Sequence, residues 1–285
     1  MSYAFFIGCT SATREINYEL SAKAVLEELG VEVEYIRGQS CCGLPFKYIS
    51  NDIWLTLASR NIALAEAMNK PMLVLCSGCY KSFKEAINLL SKPEVKRQIN
   101  EKLLIEGLEV KNPPSVIHIA ELLHDHYGLD KLAQKIKRKL NLKIALHPGC
   151  HITRPSDLIG FDNPEAPSKL EKLIEIAGCQ SINYRTKREC CGATLAGIDE
   201  EASKRLVARK IRDIKDRADA LVTFCPICHA SYDAIQKVAL NQEEQVPVLH
   251  YTQLLGLALT LPTEKLGFNY NRVSVKPLLE KLSLS

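Results

Sequence analysis

Long apolar runs are missing from this 285-residue chain: the longest, such as Leu254 to Leu261, fall far short of the ~20 residues that a bilayer requires, which excludes a membrane-spanning protein. Blocks of like charge are missing too. The formal charge of +4, from 37 basic and 33 acidic residues, is small and dispersed and gives no argument for nucleic acid, while leaving anionic small molecules open. Aromatic residues are scarce at 6%, and together with Met68 and Met72 they form no stripe beyond core packing. The first residues, Met-Ser-Tyr-Ala-Phe-Phe-Ile-Gly-Cys, have no basic start, so a signal peptide is not expected and a reducing, cytoplasmic location is. At 46% hydrophobic, 25% charged and a mean hydropathy of −0.07, the rest reads as an ordinary globular protein rather than a disordered or fibrous one.

Cysteine is the residue that stands out. Eleven in 285 is an odd count and far below the density of small disulfide-stapled scaffolds, so in a reducing compartment the clusters mean metal or redox chemistry. They also repeat. Cys41-Cys42-Gly43 recurs as Cys190-Cys191-Gly192, and Cys76-Ser-Gly-Cys79 as Cys225-Pro-Ile-Cys228, both at an offset of 149 residues. Gly8-Cys9 recurs as Gly149-Cys150 at an offset of 141. Val116-Ile-His118 with Leu122-Leu123 is echoed by Val248-Leu-His250 with Leu254-Leu255. The chain is therefore two copies of one unit, divided here as 1–140 and 141–285 plus tail, and ten of its eleven cysteines belong to the pattern. Cys179, which ends the apolar stretch from Leu173, is left over and reads as a small buried hydrophobe.

Both copies alternate strand and helix. Strands are expected at Tyr3 to Ile7, Val31 to Ile36, Met72 to Leu75 and Val116 to Ile119, and again at Lys143 to Leu146, Ser181 to Tyr184, Ala220 to Phe224 and Val246 to Leu249. Helices are expected at Ile16 to Leu29, Ile53 to Met68, Tyr80 to Leu90 and a charged excursion to about Leu108, then at Ala166 to Ala177, Ile198 to Arg217 and His229 to Leu240. The basic stretch Lys131 to Lys139 reads as an exposed helical face or the connector between copies. The fold class is α/β, with two pseudo-twofold-related repeats, each a small parallel sheet flanked by helices. Every cysteine group follows a strand and precedes a helix, at the sheet edge where open α/β folds bind ligands. Helix N-termini there favour the thiolates that metals require.

Zinc takes four ligands in a tetrahedron, so a four-cysteine zinc site would leave one thiol idle in each copy. Adjacent cysteines also diverge along the chain and suit a multi-iron cluster better than one ion. Sulfur-only ligation thus favours iron–sulfur chemistry over zinc. The twin units Gly8-Cys9, Cys41-Cys42-Gly43, Cys76-Ser-Gly-Cys79-Tyr80 and Gly149-Cys150-His151, Cys190-Cys191-Gly192, Cys225-Pro226-Ile227-Cys228-His229 resemble those of the B subunit of heterodisulfide reductase and its relatives, with similarity running nearly end to end. That resemblance implies two noncubane [4Fe-4S] clusters. Cys9, Cys41, Cys42, Cys76 and Cys79 would hold the first, and Cys150, Cys190, Cys191, Cys225 and Cys228 the second. It further implies cleavage or formation of a disulfide between the clusters, each handling one electron. Electrons would come from the ferredoxin-like iron–sulfur C component of the same complex, itself fed by the flavoprotein A component. A two-electron bond cleavage served by one-electron centres calls for a pair of them, and duplication supplies the pair.

Arg14, Lys47, His151 and Arg154 lie close in sequence to the cysteines and are candidates to clamp anionic groups of a thiol substrate, against the alternative of solvated surface charges. His118 and His250 end equivalent strands and are expected to be structural rather than iron ligands. Two other readings stay open at this point. One is an electron-transfer subunit of an unusual succinate dehydrogenase or fumarate reductase, serving quinone, for which a membrane-lying helix is expected and Leu254 to Leu261 is too short and evenly apolar. The other is a zinc-stabilised binding module.

Overall fold

A computed structural model describes residues 2–284. Two four-stranded parallel sheets form, one in each repeat. The first holds β1 (Ser2–Phe6), β2 (Glu32–Tyr35), β3 (Met72–Val74) and β4 (Val116–His118) in the order β2-β1-β3-β4. The second holds β5 (Lys143–His147), β6 (Gln180–Ser181), β7 (Ala220–Thr223) and β8 (Val248–His250) in the order β6-β5-β7-β8. Registers match as well: Ala4 lies opposite Met72 as Ala145 lies opposite Leu221. The central strands β3 and β7 are buried throughout, which is why they read as unbroken apolar runs. The edge strand β6 is shorter than its sequence suggests. Beyond Ile182, whose N–H still reaches the Ile144 carbonyl, the chain is tied to β5 by a side chain, the Tyr184 hydroxyl donating to the Leu146 carbonyl at 2.8 Å.

The principal helices are α1 (Ile16–Glu28), α2 (Asn51–Ala67), α3 (Ser77–Leu90), α4 (Pro93–Leu103), α5 (Leu129–Lys135), α6 (Lys169–Ile176), α7 (Glu200–Ile214), α8 (Pro226–Ala239) and α9 (Tyr251–Ala258). Four boundaries correct the sequence reading. Helices α3 and α8 begin at Ser77 and Pro226 rather than at Tyr80 and His229, so Cys76 and Cys225 are extended N-cap residues and Cys79 and Cys228 lie in the first turns. Helix α7 begins after Asp199, whose carboxylate accepts the Ala202 N–H and leaves Ile198 outside and exposed. The basic stretch 131–139 is helical only to Lys135. Beyond it the N–H groups of Lys137 and Arg138 bond to the Ala258 carbonyl, and Lys137 reaches Glu28 at 2.7 Å.

Helix α9 joins the repeats. It is buried along its whole length and packs on α1, with Ser21 Oγ 2.6 Å from Thr252 Oγ1 across the contact. The apolar run from Leu254 is thus interior packing. Close approach requires Gly256, where a Cβ would come within 2.3 Å of the Leu266 side chain. The carboxyl ends of the two sheets face each other: Ser77 Oγ donates to the Phe224 carbonyl at 3.3 Å, and the Tyr18 hydroxyl approaches the same oxygen at 3.5 Å.

Candidate metal centre

Cys9 and Cys76 follow the neighbouring strands β1 and β3, and Cys150 and Cys225 follow β5 and β7. These are the points where strand order reverses and a crevice opens in a parallel sheet. The Cys-Cys-Gly loops are held alike. Gly43 and Gly192 adopt φ of 79° and 75°, a left-handed conformation that side chains resist, and a Cβ on Gly43 would come within 2.7 Å of the Trp54 carbonyl oxygen. A serine in α3 and its counterpart in α8 fix the loops from behind, Ser82 Oγ donating to the Cys42 carbonyl at 2.8 Å and Ser231 Oγ to the Cys191 carbonyl at 2.6 Å.

All eleven cysteines carry free thiols, and nine of them form one row. Cys9 neighbours Cys41, Cys41 neighbours Cys42, Cys42 neighbours Cys79 and Cys79 neighbours Cys76, each near enough to shift the other's pKa. Cys76 Sγ then lies 3.9 Å from Cys225 Sγ across the junction of the repeats. Beyond it Cys225 neighbours Cys228, Cys228 neighbours Cys191, and Cys191 neighbours Cys190. Cys150 stands beside this second group, near enough for Cys191 and Cys225 to raise its pKa in addition to burial. Three sulfurs are held well below the usual thiol range by the neighbours donating to them: Cys42 by Cys41 and Cys79, Cys225 by Cys228 and Cys76, and Cys191 by Cys190 and Cys228. A sulfur-rich, thiolate-bearing row suits thiophilic metal, and the five sulfurs offered by each repeat fit an iron–sulfur cluster. Cys9, Cys150 and Cys190 are exposed while Cys76, Cys79, Cys225 and Cys228 are buried, so the row has a wet rim and a dry floor.

Behind the second group sits a buried polar cluster. Lys210, fully buried, donates to the carbonyls of Thr186 (2.5 Å), Lys187 (3.1 Å) and Glu189 (3.2 Å), and to His147 Nδ1 at 3.2 Å. A ring nitrogen of His147 lies within 4.8 Å of the sulfurs of Cys191 and Cys228. Burial pulls the Lys210 ammonium down to about 8, against the pull of Cys228, Glu189 and Cys191, which favour the charged form. A second buried cluster bridges the repeats. Glu15 Oε2 lies 2.5 Å from His229 Nδ1 and 3.1 Å from His250 Nε2. Burial opposes its charge, yet the adjacent imidazoles of His229 and His250 hold the carboxyl at about 2. These three side chains offer converging ligand atoms, but the two imidazoles are stacked, with centroids 3.9 Å apart and planes 16° apart. A metal must lie near the plane of every ring that binds it, and stacked rings share no such point, so the cluster is an ion pair locking the halves together.

The other residues singled out in the sequence are scattered. Arg14 is exposed. Lys47 pairs with Glu85 at 2.8 Å and lies over the Trp54 ring, and Arg154 pairs with Glu165 at 2.6 Å, so both cations already face carboxylates. His151 is half-buried and crosses to the first repeat, its Nδ1 3.7 Å from where a Cβ on Gly78 would stand; burial, with Lys81 nearby, lowers its pKa. His118 caps the helical turn after β4, its Nδ1 accepting the Ala120 N–H at 3.1 Å. Cys179 is buried away from the row, its thiol near the Ala177 carbonyl and pushed up to about 12 by burial. Sequence reasoning missed Glu15, His147 and Lys210. The repeat offset held the signal for the last two, because it sets Phe6 against His147 and Asn61 against Lys210.

The cysteine-rich domain model of the CCG family matches residues 3–84 and 144–233, one match in each repeat. The B subunit of the ferredoxin:CoB-CoM heterodisulfide reductase of Methanosarcina mazei is 36% identical over 98% of this chain and 96% of its own. The chain belongs to the family of heterodisulfide reductase B subunits. Relatives in this family extend to other complexes: the 8-methylmenaquinol:fumarate reductase membrane anchor subunit of Wolinella succinogenes is 32% identical over 97% of this chain and 98% of its own. Among solved structures, a hypothetical protein from Helicobacter pylori shares the fold with a TM-score of 0.77 at 18% identity, over 96% of this chain and 52% of that one. No helix among the described residues of this family member is long and apolar enough to cross a membrane.

Proposed function

We propose that the chain is the disulfide-handling subunit of a heterodisulfide reductase or a related complex. Cys9, Cys41, Cys42, Cys76 and Cys79 hold one noncubane [4Fe-4S] cluster, and Cys150, Cys190, Cys191, Cys225 and Cys228 hold the other. When bound, such a pair supplies the two single electrons that reductive cleavage of a disulfide consumes. The observation that carries this reading is the unbroken sulfur row crossing the junction of the repeats at the 3.9 Å contact between Cys76 and Cys225. Gly43 and Gly192 hold the loops open, while Ser82 and Ser231 fix the carbonyls behind them. The buried floor of the row excludes water from the deepest sulfurs, and the exposed rim at Cys9, Cys150 and Cys190 faces the substrate. At that rim His151 meets an anionic thiol substrate, with Arg14, Lys47, Lys81 and Arg154 as outlying cations, the two lysines reaching substrate by releasing Glu85 and Arg154 by releasing Glu165. A ferredoxin-like partner and a flavoprotein partner deliver the electrons in the cytoplasm.

Anaerobic purification followed by metal analysis and a disulfide assay tests this. The expected result is about eight irons per chain and, with a one-electron reductant, two thiols formed for each mixed disulfide consumed. A colourless, zinc-loaded protein sinks the reading. The Wolinella relative favours a second one, electron transfer between quinol and a fumarate reductase. Against it, the most apolar helix, α9, is buried between the repeats and presents no face to a membrane. Quinol oxidation without disulfide turnover by the iron-loaded complex would select this second reading.

A further inference from the structure

The offsets that superpose the cysteine units also pair the residues standing behind them. In the first repeat these are Phe6, Asn61 and Phe83; in the second, at equivalent positions, they are His147, Lys210 and Tyr232. The contacts superpose too. Phe6 meets Phe83 edge-on with ring centroids 4.8 Å apart, and His147 meets Tyr232 edge-on at 5.0 Å. Asn61 Nδ2 donates to the Cys41 carbonyl at 3.1 Å and to Leu57 at 2.9 Å, while its Oδ1 accepts the Ser40 N–H at 2.9 Å. Lys210 performs the same task for the second loop with an ammonium in place of an amide. The first sulfur group is thus backed by two phenyl rings and a neutral amide. The second is backed by a buried cation, an imidazole with a nitrogen within 4.8 Å of the Cys191 and Cys228 sulfurs, and a phenol whose oxygen lies 3.5 Å from that imidazole. The Glu189 carboxylate, whose pull favours the charged form of Lys210, is itself paired with Arg209 at 2.9 Å.

We propose that Lys210, with His147 and Tyr232, sets the second-repeat metal centre at a higher reduction potential than the first, so that the first of the two electrons rests in the second repeat. This rests on the iron–sulfur reading above. Reduction adds negative charge to a cluster, and a buried positive charge or a hydrogen bond to a ligating sulfur favours it; phenyl rings and an amide already spent on carbonyls do not. One electron leaves a one-electron iron–sulfur donor protein, which is oxidised, and adds to the second centre; no bond is made or broken in that step. The two-copy architecture is symmetric in its ligands and asymmetric in its charge, which gives two like centres a fixed order of filling.

A potentiometric titration followed by electron paramagnetic resonance, on the anaerobically purified full chain, tests this. The wild type should show two midpoints. Lys210→Gln should lower the higher one by a factor of at least ten in its one-electron reduction equilibrium, equal to 59 mV, and leave the lower one in place with full iron content. His147→Phe and Tyr232→Phe, which install the residues that the first repeat already carries, should shift the same midpoint in the same direction, Tyr232→Phe by less. Those two variants decide the matter if Lys210→Gln fails to fold, and Lys210→Arg should restore the wild-type value. Coincident midpoints in the iron-loaded wild type overturn this inference alone, as does any set of variants that moves neither midpoint or moves the lower one. An iron-free wild type overturns the cluster reading itself.

Discussion

Set one repeat against the other and two kinds of residue separate. Those that shape the backbone are kept: Gly43 and Gly192 with their positive φ, Ser82 and Ser231 under the cysteine carbonyls, and Ser50 and Asp199 capping the helices that follow. Those that set charge are not: Asn61 faces Lys210, Phe6 faces His147, and Tyr80, whose hydroxyl donates to Glu121 at 2.8 Å, faces His229, which meets Glu15 of the other repeat. Five sulfurs converge only if the loops keep their shape, so geometry tolerates little drift. Electrostatics are free to diverge once two copies exist, and divergence lets each copy take a different part in a two-electron task.

The sharpest way to break the comparison is at its centre. Cys76→Ser and Cys225→Ser alter the two sulfurs that meet at the junction. If each repeat holds its own cluster, each variant should lose about half of its iron and keep the spectrum of the other half. Disulfide turnover should fall at least about a hundredfold in both, since one electron cannot complete the reaction. Iron analysis showing that either variant empties both pockets would mean that the repeats form one inseparable centre.

Glu15→Gln attacks the contact that is present in one direction only. Removing the acid leaves His229 facing a neutral group and should cost about 3 kcal/mol, the scale for breaking a buried pair. Its pH dependence has a definite shape. The Glu15 carboxyl falls from an ordinary 4.5 to about 2 in the folded chain, so its contribution is present above 4.5 and is lost as pH drops toward 2. The His229 imidazole is raised above 6.5: burial opposes its charge, and the adjacent Glu15 carboxylate outweighs that. Its contribution is present below 6.5 and is lost as pH rises through the higher folded value. The wild-type advantage over Glu15→Gln in thermal unfolding should therefore be largest between about pH 4.5 and 6.5, and a constant difference from pH 5 to 9 would contradict this assignment.

The glycines sharpen the comparison by a smaller amount. Alanine at either position must adopt a left-handed backbone, at about 1–2 kcal/mol. Gly43→Ala adds a collision with a backbone oxygen, Trp54 O at 2.7 Å, whereas Gly192→Ala meets the Ser203 side chain first, at 3.2 Å. The first variant should lose visible iron–sulfur absorbance at a lower urea concentration than the second, and the reverse order would show that the loops are not equally rigid.

What the sequence disclosed follows the same division. Cysteine and glycine spacing is local, and the strand-end placement of Cys9, Cys76, Cys150 and Cys225 came with the alternation of apolar runs and helices. Contacts made by single residues far apart in the chain were hidden. Nothing in the neighbourhood of Glu15 marks it as the partner of His229 and His250, more than 200 residues away. Lys47 and Arg154 looked free beside their cysteines because their partners, Glu85 and Glu165, are supplied by tertiary structure and by a loop that no periodicity describes. Lys210 sits in a helix of ordinary charged composition, so its burial emerges only when the two copies are laid over each other.

The smallest expected effect is the one that should be equal on both sides. Ser82 and Ser231 each donate one hydrogen bond to the carbonyl of the second cysteine in their loop, at 2.8 and 2.6 Å, from equivalent turns of equivalent helices. Ser82 additionally accepts the Trp54 indole N–H at 2.8 Å, a bond that Ser231 does not need because Ser203 replaces the tryptophan. Alanine at either position should cost about 1 kcal/mol for the carbonyl bond, and at Ser82 a similar further amount for the buried indole left without its acceptor. Replacing Trp54 by Phe removes that second demand. In this background, Ser82→Ala and Ser231→Ala should shift the urea midpoint for absorbance loss by matching amounts, and a persisting difference would show that the cradles themselves, and not only the charges behind them, have diverged.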